Sequence, residues 1–62
     1  MILYDSIEAI KEAVKQGETV YWCNTLYVVK IDFEGDFIIK CTDTHAQELL
    51  TDLHKVTNFF TK

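Results

Sequence analysis

The fold of this chain is decided by three runs of sequence, VYWC at residues 20–23, LYVVKID at residues 26–32 and FIIKCT at residues 37–42. Val, Ile, Tyr, Phe and Trp dominate these runs, and such residues fit the pleated, half-buried surface of a β-strand. Between the runs, NT at residues 24–25 and FEG at residues 33–35 are typical of turns. The sequence therefore predicts three antiparallel strands joined by short turns.

The register of these strands follows from the lengths of the two turns. A two-residue first turn places Trp22 opposite Tyr27. A three-residue second loop that ends at Gly35, in the left-handed conformation, places Val29 opposite Ile39, and a loop shifted by one residue keeps the same faces. One face of the sheet then collects the apolar residues Val20, Trp22, Tyr27, Val29, Ile31, Phe37, Ile39 and Cys41. We expect this face to lie on the core.

The opposite face of the predicted sheet is more apolar than a solvated face requires. It carries Tyr21, Cys23, Leu26, Val28, Lys30, Ile38 and Lys40. We expect this face to be covered by the C-terminal segment, by a second copy of the chain or by a ligand. Aromatic and aliphatic centres with a polar rim are typical of protein interfaces. We therefore predict a protein-binding surface made of Tyr21, Leu26, Val28, Lys30, Ile38 and Lys40.

Helices are predicted on both sides of the three strands. Residues 6–16 carry apolar side chains at helical spacing, with Asp5 as the cap, Glu8 reaching back to it, and Gly17 as the stop. Residues 45–56 are predicted as a second helix, because Thr44 and Gln47 match a capping box. Its apolar stripe is formed by Ala46, Leu49, Leu50, Leu53 and Val56.

The predicted fold class is therefore α+β: one domain over residues 1–62, with a helix, a three-stranded antiparallel meander and a C-terminal helix. Residues 2–4 are either a short strand or an apolar lead-in to the first helix. The tail, residues 57–62, is either a last strand or a frayed end that docks two Phe rings.

The length and net charge of the chain restrict the classes of function that it can have. A chain of 62 residues buries only about 60% of its unfolded surface, so homodimerisation is one way to bury more. Ten acidic residues against six Lys give a net charge of −4, which disfavours binding to duplex phosphates. The same charge fits a protein partner with a basic surface, or simple solubility. No apolar run approaches a membrane span and no signal-peptide pattern begins the chain, so we expect a cytoplasmic protein.

The Cys and His residues do not form a metal-binding pattern. Zinc is usually held by four ligands that include close pairs, whereas Cys23 and Cys41 are predicted on opposite faces of the sheet, and His45 and His54 are out of phase on a helix. The sharpest enzymatic hypothesis is a nucleophilic pair of Cys41 and His45, oriented by Asp43. A chain this short has little room for a cleft. We expect no catalytic residue, metal or cofactor.

Binding of single-stranded nucleic acid is the alternative function. Tyr21, Trp22, Tyr27, Phe33 and Phe37 cluster on the predicted strands, and Lys30 and Lys40 lie near them. Aromatic rings beside Lys can stack the bases of single strands. Most of these rings are predicted in the core, however, which leaves Tyr21 as the main exposed ring. Protein binding is therefore the favoured prediction.

The first two thirds of the chain carry a helix, a Val-Tyr-Trp strand and a hairpin that ends near Cys41. The sequence there is SIEAIKEAV at residues 6–14, Gly17, TVYW at residues 19–22, Asn24 and Tyr27. This pattern resembles a group of short uncharacterised proteins from bacteriophages and prophages. The C-terminal part of that group is rich in Gly, whereas residues 47–53 here contain none. The resemblance implies a phage accessory protein that acts on a host component. Together with the predicted binding surface, it leads us to expect a non-enzymatic protein in the host cytoplasm that binds another protein, such as a host factor.

Overall fold

The computed structural model describes residues 2–62, which form one α-helix, one 3-10 turn and a six-stranded sheet. The elements are β1 (Ile2–Leu3), α1 (Ile7–Lys15), β2 (Tyr21–Trp22), β3 (Asn24–Ile31), β4 (Phe37–Cys41), β5 (Gln47–Leu49), the 3-10 turn (Val56–Asn58) and β6 (Phe59–Thr61). The strand order is β1-β6-β2-β3-β4-β5, and every neighbouring pair is antiparallel. No helix in this part of the chain is long and apolar enough to cross a membrane.

The predicted fold class, with a helix, a three-stranded meander and a C-terminal helix, is wrong, because residues 2–62 form one short helix and a six-stranded antiparallel sheet. Residues 45–56 contain β5 and turns instead of a helix. In β5, Glu48 pairs with Ile39 of β4, and just beyond it the Leu50 amide donates to the Phe37 carbonyl at 3.0 Å. This pairing satisfies backbone groups along β4 that a second helix would leave unpaired. The tail also forms a strand, β6, which lies between β1 and β2 inside the sheet.

The helix α1 has the predicted position, but it begins at a different cap. Ser6 is the N-cap, and its Oγ accepts the Ala9 N–H at 3.0 Å, so the prediction of Asp5 as cap is wrong. At the other end, Gly17 adopts φ 90° and its N–H donates to the Val14 carbonyl at 3.0 Å. A left-handed Gly after the last turn is the predicted stop.

The register of the hairpin between β3 and β4 is confirmed. Val29 pairs with Ile39 and Tyr27 pairs with Cys41. The loop between the strands closes with Gly35 at φ 90°. Gly is favoured there because a Cβ is costly in the left-handed region.

The first turn is tighter than the predicted Asn24-Thr25 loop. Cys23 alone makes the turn at φ 65°, β3 begins directly after it, and the register shifts at Trp22. The predicted neighbours Trp22 and Tyr27 still meet, with ring centroids 5.3 Å apart in an edge-to-face arrangement. The bulge therefore changes the pairing without moving these two rings to different faces.

The core lies between α1 and one face of the sheet. Its buried residues are Ile7, Ile10, Ala13, Val20, Val29, Ile39, Leu50 and Phe59. The apolar stripe of α1 thus packs against the predicted core face. Ile31 is an exception to that prediction, because it is exposed. β2 has only two residues and leaves the end of β3 without a strand on that side.

Candidate protein-binding surface

The face of the sheet opposite α1 is continuous across all six strands, and we call it the outer face. Side chains alternate between the faces of a strand, so residues paired with each other share a face. Successive register pairs build one row across the sheet, made of Leu3, Phe60, Tyr21, Val28, Lys40 and Gln47. A second row is made of Lys30, Ile38 and Leu49. Alternation along β3 adds Leu26 to the same face.

All six residues of the predicted binding surface lie on the outer face, but they are not equally accessible. Leu26 is 47% exposed and Lys30 is also exposed. Tyr21 and Lys40 are half-buried. Val28 and Ile38 are each only 8% exposed, because they lie on the middle strands with a paired residue on each side. They therefore form the floor of the surface, while its accessible apolar groups are elsewhere.

Three further apolar residues of the outer face come from β1 and β6, where a strand was one of two predicted alternatives, and from β5, where a helix was predicted. Leu3 of β1 is 66% exposed and Leu49 of β5 is 57% exposed, at opposite edges of the sheet. Phe60 of β6 is half-buried. The signal for Phe60 was the Phe59-Phe60 dipeptide, since one ring of such a pair in a strand points to the core and the other away from it.

Two half-buried aromatic rings, Tyr21 and Phe60, lie side by side on the outer face. Tyr21 and Phe60 pair across β2 and β6, and their ring centroids are 5.5 Å apart with an interplanar angle of 32°. Such a tilted pair fixes both rings and lowers the side-chain entropy that a partner must remove on binding. Trp22, next along β2, points to the core and packs 6.4 Å from the Phe59 ring.

The outer face has the opposite charge to the molecule. Among its strand positions within residues 2–62, the side chains charged at neutral pH are Lys30 and Lys40. The whole chain carries a net charge of −4. The surface is thus apolar with two ammonium groups, on a protein that is otherwise acidic.

The predicted nucleophilic pair consists of residues at the two ends of one loop. Cys41 is buried. The backbone N–H of His45 donates a hydrogen bond to the Cys41 carbonyl at 2.9 Å. The Thr44 hydroxyl, followed by the Thr44 and Asp43 amides, donates to the Cys41 sulfur and lowers its pKa, against smaller opposing effects of burial and the Asp43 charge.

The other Cys and His residues lie apart. Cys23 is exposed at its turn. The His54 imidazole packs edge-on against Trp22 with centroids 5.5 Å apart, and its Nδ1 accepts the Thr51 N–H at 3.1 Å. Its Nε2 lies 3.5 Å from a Glu48 carboxylate oxygen. Across residues 2–62, no group of three or more His, Cys, Asp or Glu side chains is arranged to hold a metal ion.

An open groove of about 280 Å³ lies where the end of α1 passes β3. Its lining includes Val14, Lys30 and Ile31. The groove adjoins the part of β3 that has no neighbouring strand, so it follows from the shortness of β2.

Comparison of the chain with models of protein families finds no match. Comparisons with curated proteins and with solved structures also find none.

Proposed function

We propose that this chain is a non-enzymatic protein that works by binding another protein through the outer face. The observation that carries the proposal is the outer face itself, whose apolar side chains extend from β1 to β5 on the side of the sheet away from α1. Exposed Leu3 and Leu49 lie at its ends and the Tyr21–Phe60 pair lies between them. Apolar patches that extend over several strands mark interaction sites more often than single exposed residues do.

The chemistry of the surface suits a protein partner. Interface centres are rich in aromatic and aliphatic side chains, and Lys is usually found at the rim. Tyr21 and Phe60 supply the aromatic centre, while Lys30 and Lys40 supply polar neighbours. In line with the resemblance to phage accessory proteins, we place the partner in a bacterial host cell.

The test is a comparison of captures from a bacterial extract by three immobilised proteins. The face variant is Leu26→Ser/Leu49→Ser, and the matched control is Phe33→Ser/Leu53→Ser. The control also removes two exposed apolar side chains, since Phe33 is 98% and Leu53 is 93% exposed. A protein that the unmodified chain and the control retain, and that the face variant loses, supports the proposal. Equal capture by all three contradicts it.

Charged substitutions at the floor of the surface are unsuitable for this test. Val28 and Ile38 are almost fully buried, so Asp at either position would bury a carboxylate and unfold the chain instead of only blocking a partner. The exposed positions chosen above avoid this effect because they are already in contact with water.

Single-stranded nucleic acid is the alternative ligand, favoured by one observation. The Tyr21–Phe60 pair places two rings side by side, with Lys40 in the same row. Bases stack on such rings and the ammonium group can neutralise a phosphate. Fluorescence anisotropy with a labelled oligo-dT tests this alternative. Binding that weakens with salt and disappears in Lys30→Glu/Lys40→Glu would favour it over a protein partner.

A further inference from the structure

The charges on the outer face restrict which protein can cover it. Lys30 pairs with Ile38, and Lys40 pairs with Val28 on one side and Gln47 on the other. Both ammonium groups are thus set among apolar and neutral neighbours. The carboxylates nearest in sequence are Asp32, Glu34 and Asp36 at the loop between β3 and β4, and Asp43 at the loop after β4, all outside the strand positions of this face.

These charges act against a face-to-face pair of identical chains. Such a dimer would bring four ammonium groups into one apolar contact, with no carboxylate from either outer face to offset them. Like charges placed opposite each other at an interface are strongly unfavourable. A partner whose apolar surface carries carboxylates would instead gain attraction at the same positions.

The small area of the outer face also argues against an obligate homodimer. An obligate dimer buries roughly 1,000 Å² or more on each chain, about a quarter of the 4247 Å² that this chain exposes. Six strands about 4.8 Å apart, of which β3 has eight residues and the others two to five, offer only on the order of a few hundred Å² of flat surface. The outer face therefore lacks the area of an obligate dimer interface, and its charges decide which partners it accepts.

From this pattern we infer that the partner of the outer face is an acidic protein surface, an apolar patch with Asp or Glu beside it, and not a second copy of the chain. The inference rests on the proposed function, because it names the partner class of the same surface. It adds a requirement on charge that the proposed function does not contain.

The chain itself supplies a probe of the required chemistry. The variant Lys30→Glu/Lys40→Glu keeps the apolar residues of the outer face and replaces both ammonium groups by carboxylates. Sedimentation velocity is measured for the unmodified chain, for the variant and for their mixture at about 0.15 M salt, where screening over about 8 Å limits the repulsion between the negative net charges of the two proteins. We expect each protein alone to be monomeric, and the mixture to form a heterodimer with an association constant about tenfold or more above that of either homodimer. Adding 0.5 M salt should weaken the heterodimer.

Two controls assign the heterodimer to the outer face. Introducing Leu26→Ser/Leu49→Ser into the unmodified partner should abolish it, whereas Phe33→Ser/Leu53→Ser should not. Circular dichroism establishes that each variant is folded. Should the double charge reversal unfold the chain, Lys30→Glu alone serves as the probe, because Lys30 is exposed and its reversal buries no charge.

Three results would overturn the inference. Self-association of the unmodified chain that Leu26→Ser/Leu49→Ser abolishes would make a second copy the partner, while protein binding by the face would stand. A mixture that stays monomeric would show that carboxylates beside the patch do not bring the two faces together, and the extract captures would then decide the proposed function separately. Binding of oligo-dT that shifts the NMR signals of Tyr21 and Phe60 would replace the protein partner by nucleic acid.

Discussion

Replacing Phe59 by Ala tests the position of the C-terminal strand. Phe59 is 0% exposed and is the largest fully buried side chain of the described residues. Removing a buried Phe side chain typically costs 3–5 kcal/mol, as lost transfer energy plus the cavity left behind. A domain of 62 residues has a total stability of about 3–9 kcal/mol. We therefore expect Phe59→Ala to remove most of the free energy of unfolding or to unfold the chain.

Urea unfolding followed by Trp22 fluorescence is the assay, since the Trp22 ring lies 6.4 Å from Phe59. Phe59→Leu keeps the protein folded for measurement, with an expected loss of about 1–1.5 kcal/mol. At a slope near 1 kcal/mol per M urea, its unfolding midpoint falls by about 1–1.5 M. The matched control is Phe33→Ala, which removes the same atoms from a side chain that is 98% exposed and should cost below about 0.5 kcal/mol.

This reasoning would be refuted if Phe59→Ala lowered the free energy of unfolding by as little as Phe33→Ala does. It would mean that the tail is a frayed end and that β6 does not lie between β1 and β2. The row of outer-face residues would then lose Leu3 and Phe60, and with them much of the proposed binding surface.

Three further predictions concern single interactions. Ser6→Ala should destabilise the chain by about 1 kcal/mol in urea unfolding, because Ser6 caps α1 at the Ala9 amide, while Asp5→Ala should cost far less. Gly35→Ala should cost about 1–2 kcal/mol from backbone strain alone, since the added Cβ meets no atom within 4 Å at φ +90°. The Cys41 thiol should ionise at a lower pH than an unperturbed thiol, as followed by the ¹³C shift of its Cβ, and Thr44→Val should move this midpoint upward. Its contribution to stability should be present above the unfolded pKa of the thiol and be lost as the pH falls through the lowered folded pKa.

The elements that the sequence predicted correctly are those built from contacts close in the chain. The helix α1 follows from apolar spacing within 11 residues, and its end follows from one Gly at φ 90°. The hairpin of β3 and β4 follows from a loop that ends at Gly35, so its register follows from neighbours in sequence. Six residues of the binding surface lie on these strands or on β2, and alternation placed them on one face.

The prediction of a second helix was wrong because it rested on neighbours in sequence, whereas the contacts that decide this segment's structure come from residues distant in sequence. Leu49, Leu50 and Leu53 have a spacing that fits a helix, yet Leu49 and Leu53 are exposed and Leu50 alone enters the core. Pairing of β5 with the open edge of β4 satisfies backbone groups and buries Leu50 at once. Tertiary pairing of this kind overrides a weak helix propensity.

By itself, the sequence determined the helix, the central hairpin, the core face and the charge of the outer face, since each depends on residues a few positions apart. The tertiary structure alone decided that Ile2 pairs with Thr61 and that β6 enters the sheet beside β2. Strands of two or three residues have too few positions to show a period, and they become stable only when distant neighbours supply hydrogen bonds. For that reason the full width of the outer face, from Leu3 to Leu49, could be seen only in the folded chain.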